Sequence, residues 1–339
     1  MWCENRNLIS PFIDFLMIGG LSIVVYFLTL LAGGHVDVVW WAWLLAFFVN
    51  GPHFLASYRI FYSRGLVFLA SGVWPFLAGV VVPVALVVFL SLGVLLGVRE
   101  VFVYVLYLMI FLVGWHYVKQ AYGCFVVYSA GNGVFYSRME LRLIKYSLFP
   151  LWWGSLSFFF VSFGDGDYWG VRYNKFLGAE FADVGYWLAM FSMVAVFGTL
   201  LWRMFRREKS PGLIAITPLL CVFLWLSPMF FNSIYYYVVP LFHSLQYMLF
   251  SGKLSYGRIK REGAGAREFC MWWGCVFILA ALYFHFVPNY LDSLSVFSSV
   301  SPTIFLAVFL LFVNVHHYFL DSVIWKKGSA DVKENLSFS

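Results

Sequence analysis

Five histidines stand inside apolar stretches: His53 in NGPHFLASY, His116 in GWHYVKQAYG, His243 in PLFHSLQYML, and His316 and His317 in NVHHYFLDSVIWK. Imidazole is a common ligand of iron, zinc, copper and nickel, and an ionisable side chain in hydrocarbon is costly enough to mark a functional site. A polar residue follows one helical turn after a histidine in every case: Ser57 after His53, Gln120 after His116, Tyr247 after His243 and Asp321 after His317. Residues four apart share a helix face, and a metal-bound imidazole gives its second N–H to such a neighbour. Asp321 is the most telling. An ionised carboxylate in lipid needs a partner, so it should ligate the ion, accept from His317 or pair with Lys119. The expected ligands are therefore His53, His116, His243 and one of His316 and His317, which point about 100° apart on a helix. Tyr117, Tyr247 or Tyr318 is the expected hydrogen-bond donor to bound dioxygen. Lys119 would stabilise an anionic intermediate or serve as the counter-ion of Asp321.

These residues need a membrane to hold them. Hydrophobic residues make up 63% of the 339-residue chain and charged residues only 11%, with a mean hydropathy of +0.84; soluble domains carry far more charge. A hydrocarbon core of about 30 Å requires about 20 apolar residues per helix. Ten such runs are found: Pro11–Ala32, Val39–Tyr62, Val67–Leu90, Val101–Ala130, Ile144–Val161, Tyr186–Trp202, Leu213–Met229, Ile234–Phe250, Phe269–Phe286 and Pro302–Trp325. The first is too long for a signal-peptide core and is expected to be a retained helix. Pro75 and Pro83 allow the third to kink or re-enter.

Charge supplies an independent orientation. With the N-terminus inside, eighteen Lys and Arg fall in inner segments, three (Arg99, Arg172 and Lys175) fall in outer ones, and Lys119 lies within a span. That asymmetry obeys the positive-inside rule and places both termini in the cytoplasm. The expected architecture is an all-α polytopic protein of about ten transmembrane helices, with one domain over 1–325 and a short polar tail over 326–339. The net charge of +6 is a topology signal, not a nucleic-acid patch. A bacterial inner membrane is the expected location, with membrane lipids and a hydrophobic small molecule as partners.

The histidine-bearing helices all run from outside to inside. His53 precedes Arg59 by six residues, His243 precedes Lys253 by ten and His317 precedes Lys326 by nine, while His116 lies fourteen before Ala130. At about 1.5 Å per residue this sets the imidazoles near one plane in the inner half of the membrane. His35 and His285 fall at the outer interface. The five cysteines (Cys3, Cys124, Cys221, Cys270 and Cys275) show no CxxC pair, which argues against an iron–sulfur cluster, a zinc ribbon or a disulfide framework.

Non-haem iron open to dioxygen is the first expectation, because a greasy cavity suits both O₂ and a lipid-like substrate. Zinc or copper fits the same donors, and haem b needs only two of the histidines. The separate-helix histidines, with the pairs Pro52–His53 and His243–Ser244, resemble the Brp/Blh family of membrane carotene dioxygenases. That resemblance implies a multi-helix fold, a non-haem iron held by histidines of different helices, and cleavage of the central double bond of β-carotene to retinal. The chain departs from the family pattern where Phe54 and Ser57 replace a glycine and an acid. Asn314-Val315-His316-His317 has no counterpart there. The several histidine boxes of membrane desaturases are missing. A metal-dependent oxidoreductase or oxygenase is thus the leading functional expectation. A transporter or channel using His and Asp321 for ions or protons, and a scaffold with a structural metal, are the alternatives.

Overall fold

A computed structural model describes residues 7–31, 38–162, 166–174, 178, 180–227, 239–326, 332 and 336. His35, the tail beyond residue 326 apart from those two positions, and the stretch 228–238, which holds the end of the seventh expected span and the start of the eighth, lie outside the described residues. The fold is all-α. In chain order it comprises α1 (Pro11–Phe15), a π-helical turn (Leu16–Gly20), α2 (Leu21–Leu31), α3 (Val38–Tyr62), α4 (Gly65–Leu69), α5 (Val73–Phe76), a second π turn (Leu77–Val81) and α6 (Val82–Leu96). There follow α7 (Arg99–Gly131), α8 (Arg138–Ser147), α9 (Phe149–Ser162), a hairpin of β1 (Gly166–Tyr168) and β2 (Val171–Tyr173), α10 (Glu180–Phe205) and α11 (Leu213–Leu226). Last come α12 (Val239–Arg261), α13 (Ala266–Ala281), a third π turn (Leu282–Phe286), α14 (Val287–Ser293) and α15 (Ile304–Ile324).

Each of the ten apolar runs lies mostly on helix over its described residues, with short breaks at 70–72 and at Leu148. Six helical segments are long and apolar enough to cross a membrane: Pro11–Leu28, Val73–Leu96, Arg99–Gly131, Glu180–Phe205, Ala266–Ser293 and Ile304–Ile324. The chain distributes its side chains as an integral membrane protein does. Large apolar side chains such as Leu31, Val67 and Phe205 stand exposed, while five histidines, Gln246, Asp14 and Asp321 are buried; lipid as solvent produces that distribution.

Several boundaries differ from expectation, each for a local reason. The fifth run breaks at Leu148, because Ser137 and Glu140 form a capping box that starts the basic, amphipathic α8 well before the apolar α9. The third run is split, its first residues on α4 and its long helix starting at Val73; a π turn separates Pro75 from Pro83, and the Gly79 carbonyl, four residues before Pro83, accepts from Tyr62 Oη at 2.8 Å. The eighth does not stop at Phe250. It continues as α12 to Arg261, burying Ser251, Leu254 and Ser255. Lys253 lies within this helix, and its ammonium donates to Leu8 O at 3.1 Å.

Close approaches fix the bundle. A Cβ at Gly154 of α9 would run into the Gly185 carbonyl of α10, and one at Gly19 would strike Cys221 Sγ. Gly19 also has φ +136°, which only glycine adopts without strain. Asp14, buried like Asp321, is structural. It accepts from Leu8 N at 2.6 Å, Ile9 N at 3.0 Å and Tyr128 Oη at 2.9 Å. The long central α7 packs against α6, α9, α11 and α15, while α3 packs against α12, α13 and α15. The four helices that carry the histidine cluster, α3, α7, α12 and α15, are thereby linked: α15 contacts both α3 and α7, and α12 contacts α3.

Candidate metal centre

His53, His116, His243 and His317 are all buried, and their Nε2 atoms converge. His53 Nε2 lies 3.3 Å from His317 Nε2, and His116 Nε2 lies 3.1 Å from His243 Nε2. Asp321 Oδ2 joins them at 3.4 Å from His317 Nε2 and 3.7 Å from His116 Nε2. Two groups of potential ligands overlap at His317: His53, His243 and His317, and His116, His317 and Asp321.

Hydrogen bonding fixes the tautomer of His53, and the Ser57 hydroxyl sets that of His317 when its proton lies on Phe54 O. His53 Nδ1 is 2.7 Å from Asn50 O, and a carbonyl only accepts, so Nδ1 carries the proton and Nε2 is a bare acceptor. Ser57 donates its one hydroxyl proton to Phe54 O at 2.7 Å; its oxygen then accepts from His317 Nδ1, also at 2.7 Å. His317 Nε2 is bare as well. Two neutral imidazoles thus aim lone pairs at each other across 3.3 Å, an unfavourable contact that a cation turns into coordination. The spacing fits: donors about 2.0–2.1 Å from one metal, at tetrahedral to octahedral angles, stand about 2.8–3.4 Å apart.

The polar residues one turn below the histidines serve neighbouring helices. Ser57 of α3 holds His317 of α15. Gln120 of α7 donates to His243 O and to Gln246 Oε1, each at 3.0 Å, and Gln246 donates to Ile18 O in the first π turn. Tyr247 donates to Asp321 Oδ1 at 2.9 Å. Its hydroxyl therefore orients the carboxylate. Asp321 stays beside His317, as the spacing suggests, whereas Ser57 holds the ring of an adjacent helix and Gln120 and Tyr247 meet a carbonyl, an amide and a carboxylate instead of a ring.

His316 is turned away from the cluster. Its Nε2–H donates to Ala78 O at 2.9 Å, and its Nδ1 accepts from Tyr58 Oη at 2.7 Å, so both nitrogens are occupied. Lys119 is partly buried on α7 and makes no ion pair with a carboxylate among the described residues. Asn50 and Tyr58 were not anticipated, and Ser244, noted only as half of the His243–Ser244 pair, donates to Asn50 Oδ1 at 2.9 Å and lies 3.0 Å from His53 Nδ1. Asn50 and Ser244 stand three and one residues from a histidine, but plain spacing gives them no distinguishing mark. His243 Nδ1 is buried with no hydrogen-bond partner.

A cavity of about 850 Å³ opens onto this cluster. His53, His243, Tyr117 and Tyr318 line one end, and Leu106, Met109, Ile110, Phe159, Phe284 and Leu310 form apolar walls. The hairpin turn at Trp169 and Gly170, with His285 and Asn289, lines the far end. Tyr117 stacks near His243 with ring centroids 4.6 Å apart, and Tyr318 near His116 at 4.9 Å. His116, His317 and Asp321 lie behind His53 and His243, outside the cavity lining.

Ser57→Ala would leave the His317 Nδ1–H without its acceptor. Metal affinity, measured by chelator competition, is expected to fall by about 10–100-fold with the ligand set intact; unchanged affinity would show that Ser57 does not orient the ring. Comparison of the chain with protein-family models, with curated proteins and with solved structures finds no match.

Proposed function

We propose that this chain is a membrane-embedded, metal-dependent oxidoreductase, with non-haem iron as its ion and a hydrophobic substrate drawn from the bilayer. The observation that carries the reading is the apolar cavity floored by His53 and His243. Its largely apolar walls beside an imidazole cluster suit a lipid-soluble molecule. In this reading all ten apolar segments cross the membrane, both termini are cytoplasmic and the membrane is a bacterial inner membrane, as the basic-residue asymmetry supports. The Pro52–His53 and His243–Ser244 pairs support kinship with the Brp/Blh dioxygenases.

The residues fit a single ion better than a haem. Axial imidazoles on one haem iron stand about 4 Å apart across a flat macrocycle, whereas these nitrogens are 3.1 and 3.3 Å apart with an acid beside them. Zinc and copper suit the same nitrogens; iron is preferred for the redox chemistry with O₂ that it supplies when bound. The protein's own part is to orient and to exclude water. Ser57 and Asn50 hold two imidazoles in the tautomer that points Nε2 inward, Tyr247 steadies Asp321, and Tyr117 and Tyr318 line the reaction end of the cavity. Lys119 and Tyr247 have no direct approach to a substrate there, since neither lines the cavity.

Leu310→Trp tests the cavity. With iron-loaded protein in detergent and a panel of apolar alkenes and prenyl lipids, O₂ consumption is expected to fall by roughly tenfold or more while metal content stays unchanged. Equal turnover in the variant would remove the cavity from the reaction. Metal-independent ion flux in proteoliposomes, abolished by the histidine variants, would instead establish the transporter.

A further inference from the structure

A second pocket, of about 290 Å³, lies between the ends of α3 and α12 and the first turns of α13, lined by Arg59, Ser63, Arg258, Glu262 and Trp272 over an apolar floor that includes Leu254. An arginine carries five N–H donors. Arg59 uses one, from Nη1 to Trp272 O at 3.1 Å, with its guanidinium carbon 4.9 Å above the Trp272 ring. The rest meet no acceptor among the described residues. Arg258 binds Ser63 Oγ at 2.5 Å and Ser63 O at 3.1 Å, and its Nε lies 3.5 Å from Glu262 Oε1. Two arginines against one glutamate leave the pocket one net positive charge, the complement of a phosphodiester. The surroundings are those of a bilayer interface: Trp272 sits at the rim, and the segment Ala266–Ser293 is the least buried of the six apolar spans, with Met271 and Ile278 exposed.

We propose that this pocket binds the phosphodiester headgroup of an anionic membrane phospholipid, with Arg59 and Arg258 on the phosphate and the acyl chains along the exposed face of α13. The lipid bridges α3 and α12, the helices of His53 and His243. Arg258 is already committed to the end of α3, so Arg59 supplies the open donors and planar hydrogen bonding to phosphate oxygens.

The test is native mass spectrometry of delipidated full-length protein titrated with phosphatidylglycerol, with diacylglycerol of the same chains and with glycerol phosphate. One phosphatidylglycerol per chain is expected to bind, far more tightly than either of the others. Arg59→Gln should weaken it by about tenfold and Arg59→Lys by less, with metal content unchanged. Equal binding to wild type and Arg59→Gln would overturn the site. Equal binding of diacylglycerol would make it a purely apolar contact, and equal binding of glycerol phosphate would assign a free anion; either result overturns the lipid headgroup.

Discussion

Replacing His317 by alanine is expected to strip the ion from the protein, whereas the same change one residue earlier, at His316, should leave it bound. His317 belongs to both overlapping ligand groups, and its Nε2 lies against both His53 and Asp321. Its loss removes a ligand from either position an ion could take. Structural metal sites gain about 10–16 kcal/mol from roughly four ligands, so one ligand is worth a hundredfold or more in affinity. His316 spends both nitrogens on Tyr58 and Ala78 O. His316→Ala therefore leaves a buried hydroxyl and a buried carbonyl short of partners, a cost of about 1–3 kcal/mol each that appears in thermal unfolding and not in metal content. Equal metal loss in the two variants would contradict this division.

Asp321→Asn should separate the metal-bound protein from the metal-free one. The carboxylate sits buried beside two imidazole nitrogens and makes no ion pair with lysine or arginine among the described residues. Without a cation, a charged group there is a liability. The amide keeps the shape and can still accept from Tyr247. Metal-free Asp321→Asn is therefore expected to melt higher than metal-free wild type. With metal the order reverses, because the carboxylate's charge is the complement of the ion. Affinity should fall by about 10–100-fold, narrowing the stabilisation by saturating metal by about 1.4–2.7 kcal/mol. Melting in detergent with and without metal measures both effects; an unchanged gap would mean that Asp321 takes no part in holding the ion.

The helices were legible because lipid demands long apolar runs, and each run lies mostly on helix over its described residues. Their ends were less so. Hydropathy cannot see the capping box at Ser137 and Glu140, and it stopped α12 at Phe250 although the buried serines beyond it face other helices. The β1–β2 hairpin passed as a loop: its turn uses Trp169 at φ 50° and Gly170 at φ 85°, and only Gly170 advertises a turn. At the centre, the histidines and their polar neighbours could be named from type and spacing alone. Which imidazole each neighbour holds, and whether His316 or His317 faces inward, depends on how helices rotate against one another. Asn50 and Ser244 gained their role from the same packing.

The most direct test is the metal content of wild-type protein purified in detergent and then exposed to ferrous iron, zinc or copper salts and desalted. The account predicts about one equivalent retained per chain, nitrogen and oxygen donors at about 2.0–2.2 Å by X-ray absorption, and no Soret band. A protein that retains none of these ions, or that carries haem, would contradict it.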